Sequence, residues 1–177
     1  IKSSAASVCI RDRYTISAIG QDSHRFTDTE KPLILGGILY HPHRGLAANS
    51  DGDVVLHALT NAISGLTAVN ILGAKADALC KSGETDSAGY LQEALKYLAQ
   101  KKMKLLHVSL SIECKIPKIS PKIEEMRKKI GELCDILPEQ VGITATSGEG
   151  LTDFGRGEGI AVICVVTAAA ESEYNIN

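Results

Sequence analysis

The chain has 177 residues, of which 44% are hydrophobic and 23% charged, as is typical of one soluble globular domain with a sizeable core. The formal net charge of −2 and the few aromatic residues (4%, no Trp) argue against a nucleic-acid partner, which would need a basic surface and stacking side chains. The longest hydrophobic run, "IAVICVVTAAA", is shorter than the ~20 residues of a membrane-spanning helix, so we expect no membrane partner.

The first third of the chain reads as strands. "YTISAIGQD" (14–22) is an apolar, β-branched run and predicts a first strand. "KPLILGGILYHP" (31–42) holds two apolar stretches around Gly36 and Gly37, which predicts a strand pair or a bulged strand.

A helix is predicted over "NSDGDVVLHALTNAISGL" (49–66). Ser50, with Asp53 three residues later, resembles a capping box at its start, and the region of Gly65 ends it. The apolar stripe of this helix is formed by Val54, Ala58 and Ile63.

The next two elements are predicted from clear periodicities. "DSAGYLQEALKYLAQKK" (86–102) has apolar residues at helical spacing and predicts a second helix. "LHVSLSIECKI" (106–116) alternates apolar and polar residues, which predicts a half-buried strand. The buried face of this strand would carry Val108, Leu110, Ile112 and Cys114.

The last third predicts one helix and two strands. "SPKIEEMRKKIGELCDI" (120–136) predicts a third helix, with Ser120 as N-cap and Pro121 at the first position. "QVGITAT" (140–146) and "GIAVICVVTAA" (159–169) predict strands, and the second is apolar on both faces. We therefore expect helices to cover one face of the last strand and another subunit to cover the other.

This order of elements predicts an α+β fold: a single layered domain with a mixed sheet and helices on one face. We expect an N-terminal extension (1–13), the domain (14–170) and a C-terminal tail (171–177). The five scattered cysteines form no C-x-x-C pair, which favours reduced thiols over a disulfide framework or a zinc knuckle. With no recognisable signal peptide, we expect a cytoplasmic protein.

"GQDSHRF" places Asp22 and His24 two positions apart, and on a strand such residues point to the same face. They could bind one ion, share one proton or lie in solvent. His57 falls mid-helix, four residues after Asp53, where a histidine at the edge of the core is the ordinary alternative. Two histidines and one carboxylate from separate elements are also a common divalent-metal set with an open fourth position.

A second candidate site is the glycine-rich stretch "TATSGEGLTDFGRGEG". Small hydroxyls and backbone N–H groups in such a turn can bind phosphate oxygens, and Arg156 can hold a phosphate with two parallel hydrogen bonds. The alternative is a long surface loop between two strands. "SDGD" at a helix start also offers N–H groups to an anion, but its acids oppose one unless a cation intervenes. The combination points to a phosphate bridged by a metal.

The segments "GQDSHRF", "NSDGDVVLHALTNAISG", "PKISPKIEEMR" and "TATSGEGLTDFGRGEGIA" together resemble the 2-C-methyl-D-erythritol 2,4-cyclodiphosphate synthase family. The resemblance runs from about Tyr14 to about Ala170, and its most specific parts are D-x-H, S-D-G-D-x-x-x-H-A and G-R-G-E-G. It implies a homotrimer around a central strand-lined axis, with active sites between subunits. It also implies a lyase of the non-mevalonate isoprenoid pathway that cyclises a cytidine diphosphate substrate and releases CMP.

The resemblance further implies two divalent metals. Asp22, His24 and His57 match the ligands of a zinc-like ion. Glu149 matches the ligand of a magnesium or manganese ion that binds with the substrate diphosphate.

The substrate residues implied by the resemblance lie in several segments. Ser147 matches the family's transition-state threonine, and Asn49 stands where a histidine usually stabilises the reacting phosphates. The residues matched to substrate binding are Ser50, Gly73 of the ribose turn, Cys114 and Lys118 in the cytosine segment 114–120, Thr146 and Arg156. Arg156 and Glu158 also match residues near the trimer axis, where the family can hold an isoprenoid diphosphate.

Three departures from the family pattern leave other functions open. Asn49 replaces the usual histidine, Asn61 replaces a usual acid, and segment 70–86 keeps only Gly73 of the ribose turn and substrate loop. A paralogue with the same metal trimer could act on another phosphorylated substrate, for example as a phosphohydrolase. A non-catalytic trimer that binds isoprenoid diphosphates is a third hypothesis.

Overall fold

The computed structural model describes residues 15–170. The expected N-terminal extension, Tyr14 and the C-terminal tail 171–177 lie outside the described residues. Between residues 15 and 170 no helix combines the length and the hydropathy that a membrane crossing requires.

The described residues form six β-strands and five α-helices, each type numbered in chain order. The strands are β1 (Thr15–Arg25), β2 (Leu33–Leu35), β3 (Ile38–His41), β4 (Met103–Glu113), β5 (Val141–Thr146) and β6 (Gly159–Ala170). The helices are α1 (Val54–Thr67), α2 (Ala74–Lys81), α3 (Ser87–Gln100), α4 (Ile123–Cys134) and the single turn α5 (Asp153–Arg156).

Four strands form one mixed sheet in the order β1-β6-β4-β5. β6 is antiparallel to both β1 and β4, whereas β4 and β5 are parallel. β2 and β3 form a separate antiparallel pair. The two residues between them, Gly36 and Gly37, have φ of +62° and +76°, a turn that glycine enters without steric cost. The predicted α+β fold with a mixed sheet and the predicted strand pair are therefore confirmed.

α1 packs closely against β1, and Gly20 makes this approach possible. A Cβ added at Gly20 would lie 2.2 Å from the Ala58 carbonyl oxygen and 2.2 Å from the Ala62 nitrogen, so any side chain there would push the helix away. This contact sets the mid-helix side chains of α1 beside the second half of β1.

The core lies between the helices and one face of the sheet. β6 contributes five fully buried side chains to it: Ile160, Val162, Cys164, Val166 and Ala168. The opposite face remains exposed within one chain, since Ile19 is 67%, Ile163 45% and Val165 39% accessible. This exposure agrees with the prediction that the chain's own helices cover only one face of the last strand.

The predicted capping box at Ser50 is wrong. α1 begins at Val54 and its N-cap is Asp53, whose side chain accepts hydrogen bonds from the N–H groups of Val55 and Leu56. A carboxylate directly before the first turn satisfies two free N–H groups. The helix also continues past Gly65 to Thr67.

The predicted N-cap at Ser120 is also wrong. Ser120–Lys122 forms a turn of 3-10 helix, and α4 starts after it, at Ile123. The alternation predicted for β4 is confirmed, because Val108, Leu110, Ile112 and Cys114 are all at most 5% exposed. Cys114 itself follows the end of the strand.

Candidate active site and metal centre

Asp22, His24 and His57 converge at the junction of β1 and α1. Asp22 Oδ2 lies 3.0 Å from His24 Nε2 and 2.9 Å from His57 Nδ1. His24 Nε2 and His57 Nδ1 are 3.2 Å apart. These three are the described residues whose ligand atoms gather closely enough to hold one metal ion. The prediction from the D-x-H pair and the helix histidine is thus confirmed as geometry.

The electrostatics of the cluster favour a bound cation. Burial opposes the charge on Asp22, but hydrogen bonds and electrostatic attraction from His24 and His57 outweigh it and hold the Asp22 pKa well below its usual range. The carboxylate therefore stays ionised and acts only as an acceptor.

The ligand atoms also suit a zinc-like ion. Two imidazole nitrogens and one carboxylate oxygen are the three protein ligands of many zinc sites whose fourth position is open. The other nitrogen of His57, Nε2, lies 2.8 Å from Ser87 Oγ, so Nδ1 can face the ion. The residues present therefore fit such an ion.

The three side chains line a cleft of about 520 Å³. Asn49 and Ser50 lie at its edge, and Tyr90 lines it from α3. Asn61 also lines the cleft, where its side-chain amide donates to the Gln21 carbonyl at 3.0 Å. Asn61 thus links α1 to the metal-bearing strand by a neutral hydrogen bond.

α2 forms one wall of this cleft, and the sequence analysis did not predict it. Leu72, Ala76 and Cys80 face the cleft from this segment, and Gly73 precedes the helix with φ of +134°. The run "AKADALCK" is rich in good helix formers, which was the signal for it. The segment that departs from the family pattern is therefore a folded wall of the cleft.

A second, smaller cleft of about 210 Å³ lies between segment 114–120 and the end of β5. It brings three predicted substrate-binding residues, Cys114, Lys118 and Thr146, together with the predicted catalytic residue Ser147. The Cys114 side chain is hydrogen-bonded to the Pro117 carbonyl at 3.4 Å, and burial, with Glu113 nearby, raises the pKa of its thiol to about 11. Cys114 is thus a neutral wall residue and no nucleophile.

The glycine-rich loop after β5 exposes its polar side chains. Ser147 Oγ donates to Glu149 Oε1 at 2.9 Å, and Thr146 Oγ1 accepts from the Gly148 N–H at 3.2 Å. Glu149 has φ of +48°, which turns the chain sharply. Glu149 is not part of the Asp22 cluster within this chain.

Arg156 and Glu158 form ion pairs within the chain. Arg156 contacts the Asp153 carboxylate and the Gly150 carbonyl, the latter at 3.3 Å. Glu158 accepts from Arg25 at 2.7 Å. About half of the Arg156 side chain and about half of the Glu158 side chain remain accessible.

Within residues 15–170, no residue lines both clefts. The structure thus brings the metal ligands together with Asn49 and Ser50, and separately gathers the cytosine-segment residues with Thr146 and Ser147. Two residues near His57 were not predicted from the sequence. Ser87 contacts His57 directly, and Asp51 is linked to His57 through Ser87. They come from distant parts of the chain, and no local pattern joins them.

Comparisons with known proteins agree with this geometry. The sequence profile of the YgbB family matches residues 16–169. The 2-C-methyl-D-erythritol 2,4-cyclodiphosphate synthase of Chlamydia muridarum is 52% identical over 152 residues, 84% of this chain and 85% of that protein. The bifunctional IspDF of Campylobacter jejuni has a TM-score of 0.82 at 28% identity, over 90% of this chain and 43% of that one. A solved 2C-methyl-D-erythritol-2,4-cyclodiphosphate synthase in a CDP-bound form has a TM-score of 0.72 at 26% identity, over 85% and 98%.

Proposed function

The chain belongs to the YgbB family, and from this premise we propose that it is a metal-dependent cyclodiphosphate synthase. It converts 4-diphosphocytidyl-2-C-methyl-D-erythritol 2-phosphate to 2-C-methyl-D-erythritol 2,4-cyclodiphosphate and releases CMP. The observation that carries this proposal is the Asp22–His24–His57 cluster at an open cleft, in a chain about half identical to a named synthase.

The reaction is an intramolecular substitution at phosphorus. An oxygen of the 2-phosphate attacks the β-phosphorus, and the bond from that phosphorus to the oxygen of the α-phosphate breaks, so that CMP leaves with the bonding electrons. A divalent ion at the cluster would orient the diphosphate and reduce the repulsion between the two approaching anions. Asp22, His24 and His57 would hold that ion in one place beside the cleft wall formed by α2.

We assign the remaining residues by their cleft. Segment 114–120, including Cys114 and Lys118, contacts the cytosine, and Ser147 and Thr146 donate hydrogen bonds to the diphosphate. Glu149 would hold a second divalent ion, magnesium or manganese, which would offset the negative charge of the substrate diphosphate. At the cleft that holds the metal cluster, Asn49 and Ser50 contact the reacting phosphate. Gly73, which directly precedes the α2 wall of that cleft, contacts the ribose. Asn49 can donate a hydrogen bond there but brings no positive charge.

One substrate must reach residues of both clefts, and we propose that a homotrimer makes this possible. The smaller cleft at segment 114–120 of one subunit, the nucleotide cleft, then faces the cleft of the Asp22–His24–His57 cluster in its neighbour. The exposed apolar side chains Ile19, Ile163 and Val165 support this arrangement, because a strand face of this kind needs a cover. Arg156 and Glu158 would lie near the axis, where an isoprenoid diphosphate is a candidate ligand.

The relatives favour this function over the alternatives. A relative that is 52% identical over most of both chains carries the synthase name, whereas no observation favours a phosphohydrolase or a non-catalytic binding trimer. We expect the protein in the cytoplasm, since the cysteines within the described residues are free thiols.

Release of CMP from the cytidine diphosphate substrate tests the proposal. With zinc and magnesium present, the protein should form CMP and the cyclic diphosphate in equal amounts. Release of inorganic phosphate without CMP would identify a phosphohydrolase instead. If neither product forms, release of inorganic phosphate from a panel of other phosphorylated substrates separates the paralogue from the non-catalytic isoprenoid-diphosphate binding trimer, which releases none.

A further inference from the structure

The two ring nitrogens of His57 have different partners. Nδ1 faces Asp22 and His24, as described above. Nε2 lies 2.8 Å from Ser87 Oγ and 3.4 Å from Ser50 Oγ, so Ser87 is the closer partner. Ser87 is the first residue of α3 and is fully buried. The Ser87 hydroxyl contacts Asp51 as well as His57, so the partners decide the direction of its single proton.

That proton points to Asp51. Ser87 Oγ donates a hydrogen bond to Asp51 Oδ1, and a carboxylate oxygen can only accept. Because Ser87 has one proton to donate, its Oγ must accept from His57. The proton of the neutral imidazole therefore lies on Nε2, which leaves the Nδ1 lone pair free to bind an ion that would replace the hydrogen bond between Nδ1 and Asp22.

Asp51 is held so that it keeps this role. Its Oδ1 also accepts from the Asp53 N–H at 3.1 Å, and its Oδ2 accepts from the Ser87 N–H at 3.1 Å. Its own N–H donates to the Thr85 carbonyl at 2.8 Å. The Asp53 and Ser87 N–H groups donate to the Asp51 carboxylate, and the Asp51 N–H is bonded to Thr85. None of these groups is an acceptor, so none of them competes with Asp51 for the Ser87 proton.

We propose that Ser87 and Asp51 are positioning residues of the metal centre, which fix His57 in the tautomer that binds a divalent ion through Nδ1. Partners of this kind raise the basicity of a ligating imidazole and fix its orientation. They also connect the metal ligand to the start of α3, directly after the segment that forms a wall of the cleft. The inference rests on the metal site of the proposed function but not on its substrate.

Zinc affinity, measured by competition with a chelator, tests the inference without any reaction. Ser87→Ala and Asp51→Asn should each weaken zinc binding by about 10–100-fold. Ser64→Ala is the matched control, since Ser64 is another buried serine at 8% exposure, on the helix that carries His57. Its hydroxyl accepts from the Ile71 N–H at 3.4 Å, outside the metal cluster. This control should bind zinc like the parent protein.

The double variant separates positioning from general loss of stability. Because Asp51 acts on His57 only through the Ser87 hydroxyl, the Asp51→Asn change should add little once Ser87 is alanine. Additive losses, or zinc affinities of the single variants equal to that of Ser64→Ala, would overturn the proposal. Melting temperatures of the metal-free proteins show whether each variant is folded at the temperature of the titration.

A spectroscopic readout addresses the tautomer itself. In the zinc-loaded protein with ¹⁵N-labelled histidine, the His57 Nε2–H should give a resolved, slowly exchanging signal in the parent and in Ser64→Ala. It should broaden in Ser87→Ala, because its acceptor is gone. Coordination of zinc through Nε2 in the parent would contradict the inference. A parent that binds zinc as described but releases no CMP would refute only the proposed function.

Discussion

Asp53 accepts a hydrogen bond from the backbone N–H of Gly37 at 2.7 Å, although the two residues belong to different elements. The same carboxylate also accepts from the Gly36 N–H at 2.9 Å and caps the first turn of α1. One buried side chain therefore joins the β2–β3 turn to the start of the helix that carries His57.

Replacing Asp53 should lower stability strongly. Asp53→Ala removes the cap of α1, worth about 1 kcal/mol, and leaves the glycine N–H groups without a partner, which costs about 1–3 kcal/mol more. We expect a loss of about 2–4 kcal/mol in the free energy of unfolding, measured by urea denaturation. Asp86→Ala is the control, since Asp86 caps α3 but is exposed, and it should cost only about 1 kcal/mol. Similar losses for both variants would show that the link to the glycine turn contributes nothing.

Lys31 should hold the loop that leads to the cleft. Its ammonium donates to the carbonyls of Leu46, Ala48 and Ser50, at 3.1, 3.1 and 2.6 Å, and burial lowers its pKa. Lys31→Met keeps the aliphatic stem but leaves these carbonyls unpaired. We expect about 1–3 kcal/mol lower stability and a raised KM for the cytidine diphosphate substrate. An unchanged KM in a destabilised variant would limit Lys31 to a structural role.

The regular elements could be predicted from periodicity, whereas the tertiary links could not. The alternation of β4 and the spacing of Asp22 and His24 are local properties, so the sequence predicts them directly. The cap of α1 was misassigned because Ser50 and Asp53 both suit an N-cap, and only the fold shows that the Asp53 carboxylate also serves a distant glycine turn. Ser87 was missed for a similar reason, since it meets His57 across 30 residues of sequence.

Assembly should depend on the exposed face of β6. Val165 lies opposite Ile19 across the β1–β6 ladder, and both side chains are accessible in one chain. Val165→Asp should leave the isolated subunit folded, because the side chain is exposed, and should dissociate a trimer by placing charges in its centre. Light scattering measures this directly. Leu137→Asp is the control at another exposed apolar residue, 65% accessible, and should not change the mass. A parent protein that is monomeric at micromolar concentration would refute the trimer.

The metal centre should require His57. His57→Ala removes one of three ligands, and Asp22 and His24 alone should retain no zinc through gel filtration in the presence of a mild chelator. Metal analysis of the purified proteins gives the result. His107→Ala is the control, since His107 is an exposed histidine that lies outside the cluster. Zinc at the parent's stoichiometry in His57→Ala would exclude this site.

Ser147 should matter for chemistry more than for folding. It is exposed, and its hydroxyl bonds only within its own loop, to Glu149 at 2.9 Å and to the Glu149 N–H at 3.4 Å. Removing an exposed hydroxyl usually changes stability by no more than about 0.5 kcal/mol. Losing one donor to a phosphate oxygen whose charge changes during attack costs about 10²–10³ in rate, judged from oxyanion holes.

Ser147→Ala should therefore keep its melting temperature and its zinc while CMP release falls by about 10²–10³. Ser147→Thr should remain active, because threonine supplies the same hydroxyl at the position where the family carries one. Comparing Ser147→Ala with Ser147→Thr separates the effect of the hydroxyl from the effect of side-chain size, since alanine differs from serine by the hydroxyl alone. If Ser147→Ala and the parent release CMP at equal rates, the Ser147 hydroxyl is not a donor to the transition state, and the hydroxyl of Thr146 becomes the next candidate in the same cleft.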